Sequence, residues 1–151
     1  MLQDLARLFD RDLQRLYQEI DAYPTTDAIW KVVDGIANSA GNLTLHLHGN
    51  LHEFIGRQLG HIPFERDRPR EFSATGLEKS ELLDMIRATK ETVSKALLSL
   101  PESDLIKTYP SEVFGYSMSV QFFLIHLNGH LNYHLGQINY HRRILYYDLH
   151  D

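Results

Sequence analysis

The sequence of 151 residues contains no cysteine, and this absence excludes several kinds of site. Disulfide bonds, iron–sulfur clusters, thiolate zinc sites and a cysteine nucleophile all require that residue. Any metal site in this chain must therefore use nitrogen and oxygen ligands. The sequence also lacks a phosphate-binding loop, a dinucleotide-binding fingerprint and a Ser–His–Asp arrangement.

Long apolar runs and concentrations of positive charge are missing as well. No run approaches the roughly 18 apolar residues of a membrane span, and the acidic, amphipathic N-terminus MLQDLARLFD is unlike a signal peptide. The net charge is −5 and no basic patch stands out, so we expect neither a nucleic-acid partner nor a membrane partner. We expect a cytoplasmic protein with a single domain over residues 1–151.

Helical spacing of the apolar residues dominates, and strand-like alternation of useful length is absent. The pattern predicts helices at about residues 2–21, 39–59, 78–99 and 119–146. Asn38 and Ser39 are both suitable N-caps for the second helix, and Ser119 is suitable for the fourth. The polar segment 61–77 is predicted as a long crossover. These features predict an all-α four-helix bundle with long crossover connections.

A row of histidines is the most informative feature of the fourth predicted helix. It contains His126, His130, His134 and His141, which fall within an arc of roughly 80° on a helix. Two histidines at i and i+4 can hold one metal ion, with further ligands from another helix. The alternative is that these histidines lie at the edge of the core and bind carboxylates or backbone groups. Three asparagines, Asn128, Asn132 and Asn139, lie on the far side of this helix and are expected to face water.

The second predicted helix can supply the missing ligand. It carries His46, His48 and His52, all of which border its apolar face. His48 and His52 are themselves an i, i+4 pair, so periodicity does not choose among the three.

Four stretches of the chain resemble the DinB-like superfamily of four-helix-bundle proteins, in a branch of small bacterial proteins of unknown function. They are residues 38–55 (NSAGNLTLHLHGNLHEFI), 65–72 (ERDRPREF), 81–83 (ELL) and 130–138 (HLNYHLGQI). The combination of NLxLHLxGN with a later HxxxHxGQI is more specific than either motif alone. His48 and Gly129 depart from the pattern, since a variable residue and often an acidic one are expected there.

The resemblance implies a metal centre formed by His46, His130 and His134, with other histidines in surface, core or supporting positions. Three neutral imidazoles leave coordination positions open for water or substrate. Such a nitrogen-only site suits divalent Zn, Ni, Fe or Co, and the sequence does not select among these metals.

Other polar residues are weaker candidates for substrate binding. They are Asn42, Asn50 and Gln137, beside the metal, and Arg66 and Arg68, which could reach over the site to an anionic substrate. In the alternative interpretation, the two arginines pair with Glu65, Asp67 and Glu71 to order the crossover.

The resemblance also implies a class of reaction. Relatives in the wider superfamily are similar to thiol-dependent transferases, so we expect an S-transferase that uses a low-molecular-weight thiol and an electrophilic small-molecule substrate. A metal-dependent hydrolase and a non-catalytic, stress-associated metal-binding protein are the alternatives. A homodimer is also expected, with the tyrosines Tyr133, Tyr140, Tyr146 and Tyr147 in the core or at a subunit contact.

Overall fold

The computed structural model describes residues 1–148 of the chain, with side chains described up to Tyr146. Four long helices are present: α1 (Leu2–Asp21), α3 (Ala40–Leu51, prolonged by a π-helical segment, His52–Arg57), α5 (Lys79–Ser99) and α6 (Val120–Asp148). Two short helices, α2 (Thr26–Trp30) and α4 (Arg68–Ser73), and a 3₁₀ turn (Glu102–Ile106) lie in the connections. Within these residues there is no strand, only an isolated bridge between Thr108 and Ser119. The all-α prediction is confirmed, with six α-helices rather than four.

The four long helices pack around one hydrophobic core. Helix α1 contacts α5 and α6, and α3 contacts the same two helices. The largest fully buried side chains include Phe9, Tyr23 and Phe123, and aliphatic residues from all four helices complete the core. Among the described residues, no helix is both long and apolar enough to cross a membrane.

Side-chain caps set the beginnings of three of these helices. The Ser39 hydroxyl accepts from the Asn42 amide, and the Ser119 hydroxyl accepts from the Phe122 amide, both at 3.1 Å. Helix α5 begins with a capping box in which the Glu81 carboxylate accepts from the Glu78 amide at 2.8 Å. Each cap satisfies backbone N–H groups that the helix itself leaves unpaired. The structure selects Ser39 rather than Asn38 as the cap of α3, and it confirms the predicted cap at Ser119.

The segment predicted as a long crossover contains a helix of its own. Helix α4 begins where the Asp67 carboxylate accepts from the Arg70 amide at 3.2 Å, and Pro69 occupies its first turn. Proline favours that position because its missing N–H would be unpaired there anyway. The helix is only six residues long, too short for apolar periodicity to reveal.

A buried carboxylate ties α1 to α6 and corrects the expectation for the α6 asparagines. The Asp12 side chain is fully buried and accepts from Asn132 at 2.8 Å, Asn128 at 3.3 Å and Arg11 at 2.7 Å. Asn139 likewise donates to Glu19 of α1 at 2.7 Å. These asparagines are therefore half-buried against α1 rather than facing water, because a buried carboxylate requires hydrogen-bond donors.

Candidate metal centre

Three histidines from two helices bring their ring nitrogens together. His46 lies on α3, and His130 and His134 lie one turn apart on α6. The Nε2 atom of His130 lies 3.2 Å from Nε2 of His46 and 3.1 Å from Nε2 of His134. One nitrogen of each residue lies within 4.8 Å of the other two, so the three could hold a metal ion.

The hydrogen-bond partners of the outer nitrogens determine where the protons are. Nδ1 of His46 lies 3.0 Å from the Glu71 carboxylate, and Nδ1 of His134 lies 2.7 Å from the Gln137 side-chain oxygen. Both oxygens can only accept, so both Nδ1 atoms carry a proton. In the neutral rings, the Nε2 atoms of His46 and His134 therefore present lone pairs to Nε2 of His130.

The three Nε2 atoms have too few N–H protons between them to form hydrogen bonds with one another. A proton on Nε2 of His130 can be donated to only one of its two neighbours, and a proton on Nδ1 instead leaves three lone pairs facing one another. A metal cation at the centre would satisfy all three. The two distances from His130, 3.2 and 3.1 Å, also fit, since a tetrahedral ion with Zn–N distances of about 2.0–2.1 Å holds its ligand nitrogens roughly 3.3 Å apart.

Burial keeps the α6 imidazoles in the form that binds metal. Burial, together with the neighbouring His134 and His46 rings, lowers the pKa of His130 to about 3. Burial also lowers the pKa of His134, against the opposing effect of its hydrogen bond to Gln137. Both rings are therefore neutral near pH 7, and a metal ion need not displace protons from them.

Glu71 is a central residue of this site that the sequence did not identify as part of it. The carboxylate is 5% exposed, and it accepts from His46 as well as from Nε and Nη2 of Arg66, both at 2.8 Å. Burial alone would raise the pKa of Glu71, but the hydrogen bonds from His46 and Arg66 outweigh it and lower the pKa. A carboxylate behind a histidine ligand fixes the tautomer and orientation of the ring. The ion-pair interpretation of Arg66 is confirmed, with Glu71 as its partner.

Gly49 makes room for this carboxylate on the surface of α3. A Cβ atom at position 49 would overlap Oε2 of Glu71 and would lie 2.8 Å from its Cδ and 3.3 Å from Nε of Arg66. Only glycine therefore lets the Glu71 side chain cross α3 at this point and reach His46. The glycine in the HLHGN motif was the available signal for a close approach.

The remaining substrate-binding candidates have different surroundings. Both amide hydrogens of Asn42 are donated to backbone oxygens of the α4 region, Glu71 O at 3.1 Å and Ala74 O at 2.9 Å. Asn50 Oδ1 is buried and has no hydrogen-bond partner among the described residues, as is also true of Nδ1 of His130. The Arg68 guanidinium lies over the Phe72 ring, 5.4 Å from its centre, and Phe72 in turn contacts the His46 ring.

The other described histidines of α3 and α6 lie outside the three-nitrogen cluster. His52 donates to the His48 carbonyl at 2.9 Å, and the two rings pack against each other and against Phe64. His126 is exposed, although its ring lies parallel to that of His130 at 6.1 Å. His141 is buried far from the cluster, where it donates to the Lys31 carbonyl at 2.8 Å and contacts the Tyr23 hydroxyl at 2.7 Å.

A cavity of about 520 Å³ opens beside Gln137. Gln137, which bonds His134, lines it together with the rings of Tyr133 and Tyr140 and with Leu43 of α3. This volume is within the range of small-molecule sites. A substrate bound there would lie next to a residue that orients a candidate metal ligand.

The fold and the site together define a class: a helical-bundle protein with a three-histidine site that could bind a metal. The chain belongs to the DinB superfamily, whose family model matches residues 8–138. It is similar in structure to a conserved protein from Enterococcus faecalis, with a TM-score of 0.78, 19% identity and 95% of each chain covered. It is also similar to a DinB-like protein from Bacillus cereus, with a TM-score of 0.69, 18% identity, and 89% of this chain and 85% of the other covered. No curated protein matches the chain.

Proposed function

We propose that the protein is a metal-dependent enzyme whose ion is held by His46, His130 and His134. The observation that carries this proposal is the convergence of three ring nitrogens that lack enough protons to satisfy one another. The ion would be divalent Zn, Ni, Fe or Co, all of which accept imidazole ligands. When bound, it would act as a Lewis acid that activates a thiol or a water molecule.

We further propose that the reaction is transfer of a low-molecular-weight thiol to an electrophilic small molecule. The cavity beside Gln137 offers aromatic walls for the electrophile. Asn50 does not line that cavity, but its buried Oδ1 has no hydrogen-bond partner among the described residues and is proposed as an acceptor for a bound group. Arg68, which is exposed near Phe72, is available to an anionic group. Asn42 and Arg66 are instead proposed to contribute by holding Glu71 in place. Metal-assisted hydrolysis at the same centre is the alternative reaction.

A homodimer in the cytoplasm, with no nucleic-acid partner, remains part of the proposal. One face of α6 carries exposed apolar side chains within an arc of roughly 100°. These are Phe122, Ile125, Tyr133, Tyr140 and Ile144. Tyr146 is also exposed, whereas the side chain of Tyr147 lies outside the described residues. Sedimentation equilibrium of the wild type and of Tyr140→Glu tests whether this face joins two copies.

Elemental analysis tests the metal centre directly. Protein purified without a polyhistidine tag or chelator should contain about one transition metal per chain, and His130→Ala should lose it. Circular dichroism of the variant should remain helical, because the hydrophobic core does not depend on the ion. The contrary result, full metal content in His130→Ala, would reject the proposed ligands.

A thiol assay tests the reaction and separates it from a non-catalytic, stress-associated role. Protein loaded with Zn²⁺ or Ni²⁺ is offered several low-molecular-weight thiols with monochlorobimane as the electrophile. We expect a metal-dependent rate with at least one thiol, lost in His46→Ala. No such rate, with one bound metal per chain, would reject S-transfer and favour hydrolysis or a binding role.

A further inference from the structure

A second cavity, of about 310 Å³, lies between α3, α4, α5 and the segment that precedes α4. None of the three clustered histidines lines it. Its apolar walls are Leu45, Phe64, Leu77 and Met85. It shares no lining residue with the cavity beside Gln137, although Glu71 borders it and separately contacts His46.

His48 presents a hydrogen-bond acceptor in this cavity. Its Nδ1 atom lies 2.9 Å from the Thr89 hydroxyl, and that hydroxyl donates its one proton to the Met85 carbonyl at 2.8 Å. Nδ1 of His48 must therefore be the donor, which leaves a lone pair on Nε2 of the neutral ring. Within the described part of the chain, that nitrogen has no hydrogen-bond partner.

The charged groups around the cavity also favour a positively charged ligand that donates hydrogen bonds. Glu65 and Asp67 both line it, and Arg70 is the cation among the lining residues. Glu71 adds little free charge, because His46 and Arg66 already occupy its oxygens. Acceptors and negative charge thus exceed donors and positive charge.

We propose that this cavity binds a small organic amine with an apolar body. The ammonium group donates to His48 Nε2 and is attracted by the Glu65 and Asp67 carboxylates. The apolar body packs against Leu45 and Phe64, where an aromatic face also favours a nearby cation. Because Arg70 also lines the cavity, a ligand with a carboxylate head group could bind there instead. The experiment must therefore compare an amine with a carboxylate.

Three probes that share one aromatic body separate the possibilities: phenethylamine, 2-phenylethanol and 3-phenylpropionate. Each is titrated into the full-length protein at pH 7.5 and followed by amide shifts in ¹H–¹⁵N spectra. Phenethylamine should shift residues 45–49 and 64–71 and bind at least about fivefold more tightly than the other two probes. Equal affinity for the three probes, tighter binding of 3-phenylpropionate, or no shift in these residues overturns the proposal.

Two variants test the residues assigned to the head group. Glu65→Gln should weaken phenethylamine binding by at least about threefold, whereas Glu91→Gln, exposed on α5 outside the cavity, should not change it. His48→Phe keeps a ring against Phe64, removes the acceptor and should also weaken binding. Unchanged affinity in Glu65→Gln overturns the assignment even if His48→Phe fails to fold.

Discussion

Replacing Gly49 by alanine should reverse the usual effect of that substitution in a helix. Alanine normally stabilises a helix interior by about 0.5–1 kcal/mol relative to glycine. Here the new Cβ would overlap the Glu71 carboxylate, which His46 and Arg66 hold in place from other directions. The carboxylate must then move away from α3 and lose some of these hydrogen bonds.

The size of the effect follows from the burial of the pair. Breaking a buried ion pair costs about 3–5 kcal/mol, and subtracting the helix gain of about 1 kcal/mol leaves a net loss of about 2–4 kcal/mol. His46 also loses the acceptor that orients its ring. Loss of such a partner typically weakens metal binding by about 10–100-fold.

Urea unfolding of metal-free protein, followed by circular dichroism, measures the change in stability. Zinc competition with a chromogenic chelator measures the change in affinity. Gly136→Ala on α6 is the matched control, because outside the neighbouring backbone of its own helix no atom lies within 4 Å of the added Cβ. This substitution should be stabilising by about 0.5–1 kcal/mol. A Gly49→Ala protein as stable as the control, with wild-type zinc affinity, would refute the packing of Glu71 across α3.

Three further outcomes test other parts of the structure. Burial lowers the pKa of His130 to about 3 and that of His48 to about 4, so below pH 6.5 the unfolded chain binds more protons than the folded one. The free energy of unfolding of metal-free protein should therefore fall by about 1–2 kcal/mol per histidine between pH 7.5 and 5.0, and equal urea midpoints at constant slope would contradict this. Asp12→Ala removes a buried acceptor, leaves the half-buried Asn128 and Asn132 donors unpaired, and should lower the free energy of unfolding by about 2–4 kcal/mol. A loss below about 0.5 kcal/mol would show that this hydrogen-bonded contact between α1 and α6 contributes little to stability. Gln137→Ala should weaken zinc binding by about tenfold through His134, and the chelator assay would contradict that role if affinity stayed unchanged.

Much of the bundle was predictable because its determinants are local. The apolar stripe of α1 predicted bounds that match Leu2–Asp21. Potential capping residues predicted that α3 begins near Asn38 or Ser39 and that α6 begins near Ser119. The π-helical segment after α3 was not predictable in this way. There Gly60 bonds the Ile55 carbonyl at 2.9 Å, a pairing across five residues that leaves no periodic signal.

The site was predictable only in its ligands. The spacing of the histidines on α6 indicated His130 and His134 as candidate ligands, along with His126. The family resemblance selected His46 from three candidates on α3. The residue that supports these ligands came from elsewhere in the chain. Glu71 lies in the crossover, where the sequence indicated it only as an ion-pair partner of the two arginines. Its role depends on α4 passing over α3 at a glycine, a tertiary contact that neither periodicity nor composition encodes.

The histidine cluster also has a consequence for the unfolded chain. His46 and His130 are separated by 84 positions in a sequence that has no cysteine for a covalent cross-link. A cation shared by them would close a loop of that length. If the unfolded chain kept the ion bound at both histidines, its lower conformational entropy would stabilise the fold by about 4–5 kcal/mol. The ion would then act as a reversible cross-link between α3 and α6. Chelators would be expected to speed unfolding, much as a reductant does for a disulfide-bonded protein.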